Sequence, residues 1–248
     1  ESIYNNFIKN AAEFLIRYKD LHTGLPFPSY DLWEEKYSVT TYTASAAFGG
    51  LIAAGNFAKT LGKTDDASKF YSEAESLRKS IISKLWDDKE KYFFKLIGDE
   101  LVKDANIDAS SFYEVFRFGV LSVDDSRMQD FFDILMKRLN RGIKIGGIAR
   151  YEGDAYCRVN NESAGNPWPV VSLWMVQYNI AKANSLSQLQ ESLKDLEWIA
   201  NLTKSSMLPE QFNPWNGEHI SATPLTWSHA EFVHTVLEYD RKLKALNR

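Results

Sequence analysis

The residues able to do chemistry collect in three loop-like stretches, each joining carboxylates or a guanidinium to aromatic rings. The first runs Gly24-Leu25-Pro26-Phe27-Pro28-Ser29-Tyr30-Asp31-Leu32-Trp33-Glu34-Glu35. Its two prolines hold it extended, and it ends on a ring beside paired acids. Acids near a helix entrance also suit the helix dipole, so the pair alone leaves both readings open. The second holds Arg150, Tyr151, Asp154 and Tyr156, then Gly165-Asn166-Pro167-Trp168. An Arg between Gly and Tyr residues presents a fixed guanidinium to hydroxyls or carboxylates; an ordinary surface ion pair is the plain alternative. The third runs Pro209-Glu210-Gln211-Phe212-Asn213-Pro214-Trp215. Rings beside acids suit a pyranose, whose C–H faces stack on rings while its hydroxyls bond carboxylates. Rings also simply fill cores, and composition does not separate the two.

Several function classes are disfavoured. A net charge of −4 gives no basic field for nucleic acid or an anionic membrane. No apolar run reaches the length of a spanning helix. Cys157 is the single cysteine and His22, His219, His229 and His234 are scattered, so neither an intrachain disulfide nor a thiolate metal cluster is expected. No cofactor is expected either. The chain opens without a signal-like segment, which fits a cytoplasmic prokaryotic enzyme and leaves a secreted one open. Asn161-Glu162-Ser163 and Asn201-Leu202-Thr203 match a glycosylation sequon, a pattern of low specificity.

Apolar periodicity predicts helices over 4–19, 40–61, 65–86 (with Thr64 as N-cap), 110–121, 126–140, 168–184, 187–203 and 225–246. A hairpin is expected where Lys91–Leu96 meets 98–102, with Gly98 near its turn. The stretch 142–169 reads as loop. About eight helices with alternating short and long connections, and no linker-like tract, predict one all-α domain over 1–248, an α/α toroid whose long loops carry the site.

Taken together, the loops resemble family 15 glycoside hydrolases, the glucoamylases with glucodextranase and microbial trehalase. Tyr30-Asp31-Leu32-Trp33-Glu34-Glu35, followed by Thr41-Tyr42-Thr43-Ala44, is similar to that family's acid motif. Arg150-Tyr151 with Asp154 and Tyr156, then Gly165-Asn166-Pro167-Trp168, resembles its substrate loop. Pro209-Glu210-Gln211-Phe212, then Ala222-Thr223-Pro224-Leu225-Thr226-Trp227-Ser228, resembles its base motif. The order and spacing agree over nearly the whole chain.

The resemblance implies Glu34 as general acid and Glu210 as general base. It implies substrate contacts from Tyr30, Asp31, Trp33, Glu35, Arg150, Tyr151, Trp168 and Gln211. The activity implied is inverting release of β-glucose from the non-reducing end of an α-linked oligosaccharide or disaccharide. An inverting pair stands roughly 6.5–9.5 Å apart, leaving room for water. A phosphorylase on the same kind of toroid would use phosphate and would not need Glu210, so both acids together favour hydrolysis. Eight helices make an incomplete (α/α)6 toroid, and the family's Trp-x-Arg-Asp motif has no counterpart here. A preceding segment or self-association is therefore expected. The competing reading is an inactive helical fragment that binds glucans weakly through Trp33, Trp168 and Trp215, or serves assembly only.

Overall fold

The computed structural model describes residues 1–98 and 103–247, which fall into two compact units: Glu1–Ala105 with Ser110–Ser122, and Asn106–Ala109 with Val123–Arg248.

In the first unit a π-helical turn, Tyr4–Ile8, runs into α1, Lys9–Arg17. The helix expected over 4–19 thus opens on a wider turn and stops early. Tyr18 leaves helical backbone angles, and its hydroxyl bonds the Pro28 carbonyl at 2.9 Å. Tyr4 is fully buried, and its hydroxyl donates to Asp66 Oδ2 at 2.7 Å.

Helix α2, Thr41–Thr60, starts where the Thr40 hydroxyl accepts the Thr43 amide at 3.0 Å. It pairs with α3, Thr64–Leu85, whose buried Ala67, Phe70, Ala74, Leu77, Ile81 and Leu85 repeat at helical spacing. Small residues set the approach: a Cβ on Gly55 would stand 2.6 Å from the Tyr71 ring. Thr64 is not the N-cap expected of it. Lys63 holds that position without a side-chain bond, and Asp65 and Asp66 place negative charge in the first turn.

Extended segments go beyond a single hairpin. Strands β1 (Ser29–Tyr30), β2 (Tyr37–Thr40), β5 (Leu96–Ile97) and β6 (Lys103–Asp104) form an antiparallel sheet in that order. Strands β3 (Trp86–Asp87) and β4 (Tyr92–Phe93) pair separately. The run 91–96 is therefore two short strands with different partners, because Phe93 pairs with Trp86 while Leu96 pairs with Thr40 and Asp104. Residues 99–102 of the expected hairpin lie outside the described residues. Helix α4, Ala109–Arg117, ends before the expected residue 121. There Gly119, at φ +77°, turns the chain out with its amide on the Phe116 carbonyl.

The second unit holds α5 (Ser126–Leu139), α6 (Pro169–Lys182), α7 (Leu186–Asn201), the strand pair β7 (Gln211–Phe212) and β8 (His219–Ile220), and α8 (Thr226–Leu246). Helix α6 is buried on nearly every side, as its apolar composition requires. Leu173, Val176 and Ile180 from α6 join Leu189, Leu196 and Ile199 from α7 in one core with Leu208 and Phe212. That core fixes the strand pair next to Glu210. The loop expected over 142–169 is observed, and Pro169 opens α6 at a position where no amide donor is needed.

Candidate active site

In the first unit the Tyr30-to-Tyr37 register makes residues 31–36 the loop of the β1–β2 hairpin. Asp31 builds this loop from inside. Its amide donates to the Lys36 carbonyl at 2.9 Å, and its carbonyl accepts the Glu34 amide at 3.1 Å. Its Oδ1 accepts the amides of Glu35 at 2.8 Å and Lys36 at 3.2 Å. Asp31 is buried, and its Oδ2 lies 4.0 Å from the ammonium of the equally buried Lys95, which offsets the charge. Trp33 is buried beneath the loop, whereas Glu34 and Glu35 are exposed. Glu34 sits at φ +59°, a left-handed conformation that costs a side-chain-bearing residue about 1–2 kcal/mol. The Asp31 bonds over-determine it, as a strained backbone conformation requires. Tyr30, 65% exposed, meets Tyr37 edge-on across the strands at 5.4 Å.

The second unit gathers the other expected residues. Arg150 and Asp154 are both buried and form a two-pronged pair, with Nε to Oδ2 and Nη2 to Oδ1 each 2.8 Å. Rings surround the guanidinium: Trp168 at 4.4 Å, Tyr151 at 5.1 Å and Tyr156 at 5.5 Å. Such an Arg is fixed in direction before any ligand arrives. Its backbone is held by bonds from the Ala109 amide to the Arg150 carbonyl and from the Glu152 amide to the Ile107 carbonyl, both 2.9 Å.

Glu210 is half-buried, and its amide donates to the Ala222 carbonyl at 2.8 Å. Its Oε2 accepts a short hydrogen bond from the Ser221 hydroxyl. Ser221 Oγ in turn lies 3.4 Å from the Tyr156 hydroxyl, and the Tyr156 ring stands 6.3 Å from Trp168. A carboxylate, a hydroxyl, three rings and a guanidinium thus form one continuous constellation. Gln211 is fully buried and its Oε1 accepts from Asn166 Nδ2 at 2.7 Å, tying the Gln211–Phe212 strand to the Gly165–Trp168 stretch.

Ser221 escapes a reading by residue type, and for Asn166 and Asp154, both named in the second loop, the structure adds the partners. Ser221 lies outside any carboxylate-rich stretch, and only its φ of +61° marks it. Asn166 bonds Gln211 and the Cys157 carbonyl. Asp154 is the clamp of Arg150, and its spacing four residues on was the available signal. Among the described residues no group of three or more His, Cys, Asp or Glu is arranged to hold a metal. Among them also, no helix is long and apolar enough to cross a membrane.

The chain is similar over more than nine-tenths of its length to a glycosyl hydrolase and to glucoamylases. It is 31% identical to an uncharacterized glycosyl hydrolase of Methanocaldococcus jannaschii, over 96% of this chain and 38% of that protein. It is 24% identical to a glucoamylase of Clostridium sp. (strain G0005), over 93% and 35% respectively. The chain therefore spans little more than a third of those relatives' lengths. Among solved structures, a bacterial glucoamylase complexed with acarbose matches 97% of this chain and 38% of its own (TM-score 0.80, 19% identity). A Saccharomycopsis fibuligera glucoamylase matches 98% and 62% (TM-score 0.77, 17% identity). At these identities the likeness shows the fold, an all-α chain that makes up part of an (α/α)6 toroid. The sequence pattern of glycosyl hydrolases family 15 matches residues 4–198, and on that match over most of its length the chain belongs to this family.

Proposed function

We propose that this chain carries the catalytic residues of an inverting glucoamylase-like hydrolase. The reaction removes β-glucose from the non-reducing end of α-linked gluco-oligosaccharides. Glu34 protonates the leaving glycosidic oxygen, and Glu210, as carboxylate, takes a proton from the water that attacks the anomeric carbon. Arg150 hydrogen-bonds hydroxyls of the reacting sugar, with Tyr151 and Trp168 as ring contacts. Tyr30, Asp31, Trp33, Glu35 and Gln211 complete or support the sugar site. The observation that carries this reading is the Glu210–Ser221–Tyr156–Trp168–Arg150 constellation. A carboxylate, a ring for stacking and a fixed polyvalent donor in one constellation are groups suited to a hexose, which supports the reading.

Glucose release from maltose, maltotetraose, isomaltose and trehalose tests it, with Glu34→Gln and Glu210→Gln alongside. Both variants are expected to lose activity by several orders of magnitude, and NMR of fresh product is expected to show the β anomer first. Early α anomer would overturn the inverting assignment. An inert but compact, monomeric wild-type chain would favour the non-catalytic reading.

A further inference from the structure

In the second unit, the segment that carries Glu210 is held by residues that the acid–base reading does not use. Pro209 has no N–H, so the backbone offers four polar groups from the Leu208 amide to the Glu210 amide. Each has a partner. The Leu208 amide donates to His229 Nε2 at 3.0 Å, and the Leu208 carbonyl accepts the Leu225 amide at 2.9 Å. The Pro209 carbonyl accepts the Ser228 hydroxyl at 2.7 Å, and the Glu210 amide reaches the Ala222 carbonyl at 2.8 Å. Three of these four partners come from residues 225–229 at the entrance of α8, where Ser228 is fully buried and His229 half-buried.

The His229 bond dictates the state of that ring. A backbone amide only donates, so Nε2 presents its lone pair, and the imidazole is neutral in this arrangement with its proton on Nδ1. An imidazolium donates from both nitrogens and has no acceptor to offer. The Pro209 ring locks its own φ, so a shift of Leu208 passes on to Glu210 instead of being absorbed between them. We propose that His229 is a positioning residue for Glu210, its Nε2 anchoring the Leu208 amide so that the carboxylate stands where an attacking water can meet it. The catalytic consequence rests on the hydrolase reading, whereas the hold on residues 208–210 rests on the bonds themselves.

Two substitutions separate an acceptor from mere bulk. The side-chain carbonyl of Gln accepts at nearly the reach of Nε2, whereas Leu fills a similar volume and accepts nothing. In the full chain, His229→Leu is expected to lower kcat for maltose about 100-fold, the scale of a small misplacement of a catalytic group, with KM changed far less. His229→Gln should recover most of that loss. Turnover is taken per folded molecule, with the folded fraction read from circular dichroism. Wild-type kcat in His229→Leu, or a loss as large in His229→Gln as in His229→Leu, would overturn the positioning role.

Nitrogen NMR of the wild-type imidazole near neutral pH needs no variant, so the inference stays testable if His229→Leu does not fold. A proton on Nδ1 and a bare Nε2 are expected, and a proton on Nε2 would overturn the anchor. Hydrogen exchange at the Glu210 amide serves a chain that releases no glucose. It should quicken about tenfold or more in His229→Leu and stay as in wild type in His229→Gln. That pattern in an inert chain keeps the anchor and removes the hydrolase reading. Unchanged exchange beside unchanged glucose release does the reverse.

Discussion

Asp31 Oδ1 accepts the Glu35 amide at 2.8 Å while the Asp31 amide donates to the Lys36 carbonyl at 2.9 Å. One buried residue therefore fixes both ends of the segment that presents Glu34, and its charge is offset by Lys95. Replacing Asp31 with Ala removes the side-chain acceptor of two amides and a negative charge 4.0 Å from the buried Lys95 ammonium. Stability should fall by about 3–5 kcal/mol. Turnover of maltose should fall about 100-fold through misplacement of Glu34, with KM changed far less. Asp31→Asn restores an acceptor without the charge and should recover part of kcat. Steady-state kinetics beside thermal melts check both points, and an Asp31→Ala enzyme with wild-type kcat would sink the positioning role.

The Arg150–Asp154 pair predicts a different signature. Both groups are buried, so Asp154→Ala removes the two-pronged partner of the guanidinium and should destabilise the fold by about 3–5 kcal/mol. Arg150→Lys keeps the charge but not the fork that Asp154 grips. It should raise KM for maltose about tenfold or more while melting closer to wild type. Measuring KM and Tm on the two variants separates loss of sugar contact from loss of fold.

A pH effect on stability is expected at the other end of the first unit. The Lys9 ammonium, and then the Tyr4 hydroxyl, hold the Asp66 carboxyl below the usual range. A folded-state value below the unfolded one means that the contribution is complete above the unfolded value of about 3.9. It is lost as pH falls through the lower folded value. Asp66→Asn should thus cost about 1–2 kcal/mol at pH 7 and almost nothing once both states are protonated. Urea midpoints of the two proteins at pH 7 and near pH 2 provide the check.

Gly49 lies inside α2, where alanine would ordinarily gain about 1 kcal/mol. A Cβ there would stand 2.5 Å from Phe118 Cδ1 and 3.0 Å from its Cβ, too near the backbone for a rotamer change to relieve. Overpacking of this kind costs about 1–3 kcal/mol, so Gly49→Ala should be net destabilising. A raised melting temperature in that variant would show that Phe118 yields.

Long helical segments were readable from sequence because each carries many apolar positions at helical spacing: α2, α3, α6 and α8 lie within a residue or two of expectation. The β1–β2 hairpin was not, since two-residue strands offer too few positions for alternation to register. The acids were visible as residue types in aromatic company. What was hidden is how the chain holds them, because Asp31 folds back on amides four and five residues on, and Ser221 reaches Glu210 from the far side of a strand pair. Those bonds depend on local backbone angles that composition does not encode.

The backbone of Glu34 has an evolutionary consequence. Left-handed angles favour glycine or asparagine, so the position assigned to the acid is one where the fold itself prefers a different amino acid. Selection for robustness alone would drift toward Glu34→Gly or Glu34→Asn and erase the proton donor along the way. Libraries screened only for heat resistance should therefore return this position repeatedly, and the hardiest clones should be the ones that no longer release sugar.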